Sequence, residues 1–419
     1  MRPLRCAAVT LWAALLIGTA ASAAPKRVAY ALILANNTGL EPKQAPLRYA
    51  DDDGARYYEL LSSRTKETVL LSVLDAETQA LHPGLAAQTR PPTRKALKEA
   101  LGQLNARMAE DRQRGDDPVL YFVFTGHGKR GPAGEGMVSL LDGPFTRTDL
   151  YSQVIAPSSA AFIHLIVDAC DSYFFVNSRG ALPVAPAQAQ AVQGLLAARE
   201  LGRYPHVGAV LSTTREQESH EWSAIRSGVF SHQVLSALAG AADVNADGRV
   251  EYSELRAFVA AANQGVEDVR GRLEVSIQPP AQDRSAALVD LGDRARLGFL
   301  LLPTGLEGRL WIEDSRGRRV AEFNKERERS VVLGLPPGYG YFLRAFGREA
   351  SFKFARPGAV VDAASLSWRD NSVAARGAVD DAFRDKLFSV PFGPRFYAGY
   401  MASLGQTPVA PEQGPDLTP

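Results

Sequence analysis

At 419 residues, 46% of them hydrophobic and 22% charged, the chain has the length of two or three domains and the composition of an ordinary globular protein. A formal charge of +1 gives no electrostatic reason to expect nucleic acid or an anionic membrane as partner.

Residues 1–23 carry Arg2 and Arg5, the apolar run AAVTLWAALLIGTA, and then Ala21-Ser22-Ala23. That is the order of a secretory signal peptide, with cleavage expected after Ala23. The apolar run is shorter than the ~20 residues that cross a bilayer and no later run is longer, so no membrane span is expected. Cys6 precedes the run, which argues against a lipid anchor. Loss of Arg2 and Arg5 takes the charge from +1 to −1 and leaves Cys170 as the sole cysteine. In a periplasmic or extracellular chain such a thiol has no internal disulfide partner, and it is a liability unless it is buried or used.

From residue 27 onward, apolar runs alternate with amphipathic ones. Residues 27–37 read as a strand and 47–61 as a helix, with Leu47, Ala50, Ala55, Tyr58 and Leu61 near helical spacing. A strand is expected at 67–74, and a helix at 93–109 with Ala96, Leu97, Ala100, Leu101 and Leu104 on one face. Further strands are expected at 119–125, 161–169 and 206–214. Continuous apolar strands alternating with helices predict an α/β fold with a mainly parallel sheet and helices on both faces. Ligands of such sheets bind beyond the carboxyl ends of the strands. His127 and Cys170 both fall just past such ends. A glycine-rich loop (126–143) lies between them, and the uncharged stretch ALPVAPAQAQAVQG (181–194) reads as a mobile loop.

Helices expected at 228–240 and 252–264 bracket DVNADGRVEYSE, residues 243–254. This loop fits the EF-hand pattern: Asp243, Asn245 and Asp247 as oxygen ligands, Gly248 at the sharp turn, Arg249 through its carbonyl, Glu251 through water and Glu254 bidentate. Calcium is the expected cofactor, structural or regulatory. The competing reading is a surface turn that keeps the acidic pattern without useful affinity. From about residue 295 short strand-like runs are cut by Gly and Pro turns, which suggests a β-sandwich over 295–362. The tail, 363–419, holds one helical stretch, DDAFRDKLF, an aromatic segment, PFGPRFYAGY, and a Pro-rich end expected to be disordered.

A thiol becomes a useful nucleophile when a base takes its proton and when donors stabilise the oxyanion on the attacked carbonyl. His127 is the candidate base and Cys170 the candidate nucleophile. Glycine beside the histidine permits close approach of backbone to substrate, so the N–H groups of Gly128 and Cys170 are the candidate oxyanion hole. A bare Gly-His-Gly also suits a turn, and a lone cysteine is most often a buried small hydrophobe.

YFVFTGHG (121–128) and LIVDAC (165–170) resemble the motifs of the caspase-like cysteine peptidases, and within them of the bacterial metacaspase-like members. ALILANN, YADDDGARYYELL and SGVFSHQVLSALAG match further family segments in the same order, so the resemblance covers roughly 28–264. It implies a caspase-like three-layer sandwich as a peptidase domain over 25–270. It also implies a His127–Cys170 dyad that cleaves peptide bonds with no cofactor in the chemical step. Relatives often follow the cysteine with a small-residue turn, whereas DSYFFV follows it here.

The resemblance further assigns Asp168, and Asp53 with Asp51 and Asp52 competing for its place, to a pocket for a basic residue. Ser219-His220-Glu221, in STTREQESHEW, falls where true caspases carry a Ser-aromatic-Arg run that binds aspartate. A carboxylate there disfavours an acidic substrate, so cleavage after Arg or Lys is expected. Arg179, Arg199 and Arg203 then become candidate self-cleavage sites. The reading from another class is a catalytically idle module stabilised by calcium, with a protein or glycan partner on the C-terminal sandwich. His164 reads as core, and His206, His220 and His232 have no zinc spacing.

Overall fold

The computed structural model describes residues 25–410 apart from 42, 132–133, 178–200, 213–220, 268–272, 274, 293 and 372–384. The signal segment, Arg179, Arg199, the 181–194 loop and most of the expected DDAFRDKLF helix lie outside the described residues.

Five apolar runs form the parallel part of one sheet: β1 (Arg27–Asn36), β2 (Glu67–Ser72), β3 (Asp117–Gly126), β4 (Phe162–Asp168) and β5 (Val207–Ser212). A sixth strand, β6 (Val275–Gln278), adds antiparallel to β5, giving the order β6-β5-β4-β3-β1-β2. Side chains alternate across a strand, and here both sides are buried. Ala31, Ile33 and Ala35 of β1 enter one core, while Tyr30, Leu32 and Leu34 enter the other. This is why the runs are apolar throughout rather than at every second residue.

The helices divide between those two cores. α1 (Ala50–Ser62), α3 (Val229–Ser236) and α4 (Tyr252–Asn263) contribute to the first, and α2 (Arg94–Gln113) contributes Leu97 and Leu104 to the second. Thr93 caps α2 by accepting the Ala96 N–H. α1 begins with Asp51, Asp52 and Asp53 in its first turn, where negative charge is favoured by the helix dipole.

Residues 298–370 form one three-stranded and one five-stranded sheet. Their core is continuous with that of the main sheet: Leu310, Ile312, Phe323 and Leu343 belong to the same buried cluster as Val234, Leu238 and Phe258. Charge is buried at this junction too. Glu322 is completely enclosed and accepts from Arg309 Nε at 2.6 Å and Arg319 Nη1 at 2.9 Å, with His232 Nε2 3.1 Å away. Burial alone would raise its carboxyl, but Arg309 and Arg319 outweigh burial and hold it well below the usual range. Removing one partner of a buried network leaves the other charges uncompensated. Glu322→Ala is therefore expected to cost about 3 kcal/mol or more, read as a lower midpoint in thermal unfolding of the whole chain.

The aromatic tail segment, to which no helix was assigned from the sequence, is partly helical. Pro394 sits at the start of a helix, Pro394–Ser403, a position that suits its fixed φ. Phe388 and Phe392 pack on Phe258 of α4 at 5.9 and 5.4 Å between ring centroids.

Candidate active site

β3 and β4 are neighbours, and Thr125 pairs with Asp168 in parallel register. His127 and Cys170 each lie two residues beyond that pair, so the topology delivers both at one level of one sheet edge. Gly126, between them and β1, has φ of 155°, and a Cβ there would meet the Asn36 carbonyl oxygen at 2.8 Å. Glycine is required at this turn by both conformation and space.

Gly128 leaves β3 into a hairpin with Gly136–Leu140. A Cβ on Gly128 would overlap the Cys170 carbonyl oxygen, so the two backbones lie in direct contact. The Ser139 N–H donates to the His127 carbonyl at 2.9 Å, which makes Gly128 and Val138 a non-hydrogen-bonded pair. The Gly128 N–H is thus left over from the hairpin ladder.

DSYFFV, the departure from the family pattern, folds as a short helix, Ser172–Val176, entered through Asp171 at φ 53°. It is tied down. Gly136 of the hairpin packs directly on the backbone of Phe174 and Phe175, Arg130 lies over the Phe174 ring at 4.1 Å, and Tyr151 Oη donates to the Val176 carbonyl at 2.9 Å. The segment after the thiol is therefore clamped by the segment after the histidine.

Cys170 is in no disulfide and is partly exposed. His127 is also partly exposed; its Nδ1 lies 2.8 Å from Gln44 Nε2, and its Nε2 is buried without a hydrogen-bond partner. Burial lowers its pKa from the ordinary histidine value, and the Ala45 carbonyl opposes that shift only in part.

Asp168 and Asp53 come together around Gly228, where a Cβ would meet their Oδ2 atoms at 2.9 and 3.1 Å. They differ in what they have left to offer. Asp53 is 1% exposed, with Ser227 Oγ donating to one oxygen and the Gly228 N–H to the other at 2.8 Å. Asp168 is partly exposed, and its Oδ2 takes Ser231 Oγ at 2.7 Å and the Ser231 N–H at 3.2 Å. Burial pushes the Asp168 carboxyl up to about 6, against the Ser231 hydrogen bonds and with help from nearby Glu221. Asp51 and Asp52 face elsewhere: Asp51 accepts from Asn37 and the Asp75 N–H, and Asp52 from Arg226.

Glu221 is close enough to act on Asp168, but its Oε1 is engaged in local structure. It accepts the Arg48 and Tyr49 N–H groups, both at 2.9 Å, where the chain enters α1. His164 is core, with Nδ1 2.6 Å from Tyr252 Oη. Sequence reasoning missed Gln44, since no motif marks a glutamine in a loop.

The EF-hand-like loop lies between α3, extended by a π-helical turn Ala237–Ala241, and α4. Asp243, Asp247, Glu251 and Glu254 are each 5% exposed or less. Their oxygens turn largely onto backbone donors: Gly248 N–H to Asp243, Arg249 N–H to Asp247, and Val244 and Glu251 N–H to Glu254, at 2.9–3.1 Å. The Asn245 amide donates to Asp247 at 3.0 Å. Among the described residues no three His, Cys, Asp or Glu side chains converge as a ready metal cluster. Asp243 Oδ1 and Glu251 Oε2 are nonetheless buried with no partner. Burial pushes Asp243 up to about 7 and, with Glu251 beside it, Glu254 well above the carboxylate range. Arg249–Glu251 pairs antiparallel with Ala287–Asp290, so the loop is built into the fold.

No protein-family model matches the chain, and no curated protein matches it. Among solved structures, a protein from Geobacter sulfurreducens aligns at 15% identity over 64% of this chain and 99% of its own, with a TM-score of 0.33. The Arg-specific cysteine proteinase gingipain R aligns at 10% identity over 75% of this chain and 64% of its own, with a TM-score of 0.30. Both scores are too low to bear on the fold or activity of this chain. No described helix is long and apolar enough to cross a membrane.

Proposed function

We propose that the chain is an exported caspase-like cysteine endopeptidase that cleaves after Arg or Lys. The observation that carries this reading is the register of β3 and β4, by which His127 and Cys170 leave adjacent parallel strands at one level, with Gly128 against the Cys170 backbone. In the reaction, His127 takes the thiol proton and the sulfur attacks the scissile carbonyl carbon. The oxyanion is met by the N–H groups of Gly128 and Cys170. Collapse of that intermediate expels the amine, which takes the proton back from His127, and water then releases the acid from the thioester and restores the thiol. Asp168 holds the basic side chain before the scissile bond, while Asp53 and Glu221 brace the pocket wall and add negative charge.

The test is hydrolysis of Arg-, Lys- and Asp-terminated fluorogenic peptides by wild type and Cys170→Ala, with and without Ca²⁺. No cleavage of any would favour the idle calcium-stabilised module. Cleavage after Asp would refute the pocket while sparing the dyad.

Calcium belongs to the same reading. Two buried carboxylate oxygens without donors are what a hard cation with oxygen ligands would satisfy. Asp243, Asn245, Asp247, the Arg249 carbonyl, Glu251 and Glu254 would hold it. Since α3 carries Ser231 at one end and leads into Asp243 at the other, the ion would brace the helix that lines the acidic pocket. A ligand at about 100 times its Kd adds about 2.7 kcal/mol. Saturating Ca²⁺ is therefore expected to raise the melting temperature by about 3 °C for a chain of this size, and Glu254→Gln to remove that rise. A calorimetric titration without heat, together with an unmoved melting temperature, would end the idea.

A further inference from the structure

Gln44 lies in the loop that joins β1 to α1. Its Oε1 accepts the Leu40 N–H at 2.9 Å, and its Nε2 reaches His127 Nδ1 at 2.8 Å. Gly39 makes the room, since a Cβ there would meet the Gln44 side chain at 2.7–2.9 Å. A backbone N–H can only donate, so the oxygen of the amide faces Leu40 and its NH₂ faces the imidazole. An NH₂ donor needs a lone pair on Nδ1. The neutral ring then carries its proton on Nε2, the nitrogen that is buried without a partner. In that tautomer neither nitrogen is ready to take a thiol proton: Nδ1 is engaged and Nε2 is already protonated.

We propose that Gln44 is a positioning residue that holds His127 as the Nε2–H tautomer and so restrains the thiol-activating base until the amide withdraws. The ring state stands on its own geometry, and its consequence for Cys170 rests on the peptidase reading above. When the amide leaves, the proton can move to Nδ1 and free the Nε2 lone pair. The Ala45 carbonyl, which already favours the charged ring, is a neighbouring acceptor for a ring N–H. The amide also opposes the imidazolium, because a protonated Nδ1 cannot accept from it.

Two readouts on the full chain test this. Nitrogen NMR of isotope-labelled histidine in wild type, Gln44→Ala and Gln44→Met reports the His127 tautomer and titration. Iodoacetamide alkylation at pH 6, read at Cys170 by peptide mass, reports thiol activation. Wild type is expected in the Nε2–H form. Both variants should release that form and strengthen His127 as a base by about three- to tenfold, the worth of one hydrogen bond. Cys170 alkylation should rise by a similar factor, and added His127→Ala should remove the gain. Gln44→Glu, whose carboxylate accepts from a protonated Nδ1, should raise it further. An unchanged ring in both variants overturns the inference about Gln44 alone. Slower alkylation in both, as in His127→Ala, also overturns it, because Gln44 would then assist the base. A ring that responds beside a thiol indifferent to His127→Ala upholds the hold on the ring and overturns the peptidase reading.

Discussion

Cys170→Ala is expected to abolish hydrolysis of an Arg-terminated peptide, and His127→Ala to lower kcat by about 10²–10⁴-fold at neutral pH, the usual worth of a positioned general base. The two losses differ in kind. Alanine at 170 leaves no nucleophile, so its loss is the same at every pH. Alanine at 127 leaves a thiol that still forms thiolate by itself as the pH rises. The deficit of His127→Ala is therefore largest near pH 6–7 and shrinks as the pH approaches about 9. Initial rates for both variants from pH 5.5 to 9 check this. A deficit in His127→Ala that does not narrow with pH would mean that the histidine shapes the site without handling the thiol proton. Activity surviving in Cys170→Ala would remove the nucleophile from the reading altogether.

The sequence made the parallel strands legible because they are buried on both faces, and burial on both faces writes itself as nearly continuous apolar residues in β1, β3 and β4, broken in β4 by the buried His164. It also put His127 and Cys170 at strand ends. What it could not supply was their neighbourhood, since the order of strands in a sheet is decided by how helices pack across it and not by any one run. The register of Thr125 with Asp168 had to be seen. β6 was missed for a related reason: VSIQ is short, half-exposed and without the apolar run that marks its parallel neighbours. The helix at Pro394–Ser403 was not read from the sequence, where PFGPRFYAGY stood only as an aromatic segment; Phe392, just before the helix, packs on Phe258 of α4. The acidic residues around the pocket illustrate a third limit. Asp51, Asp52 and Asp53 are adjacent in sequence and chemically identical, yet one turn of helix sends them to Asn37, Arg226 and Gly228 respectively. Only the direction of each side chain separates a helix brace from a pocket wall, and direction within a helical turn is set by packing.

That separation gives the second large effect. Asp168→Asn is expected to lower kcat/KM for Arg- and Lys-terminated peptides by about 10²–10³-fold, the cost of truncating one partner of a desolvated charge pair, while a peptide with a neutral residue at that position loses far less. The pH dependence follows from the carboxyl being pushed up to about 6 by burial. Above that pH Asp168 is ionised in the free protein and attracts a guanidinium or ammonium group. Below it the carboxyl is neutral, so kcat/KM for a basic substrate should fall about tenfold per pH unit. In Asp168→Asn that limb of the profile should vanish along with the preference for Arg and Lys. Asp53 provides the contrast. Its two oxygens are already taken by Ser227 and Gly228, so Asp53→Asn should act mainly through the melting temperature and leave the acid limb of kcat/KM in place. If the limb instead disappears in Asp53→Asn and persists in Asp168→Asn, the basic side chain is held by the deeper acid, and the partly exposed one serves only to anchor Ser231 at the start of α3.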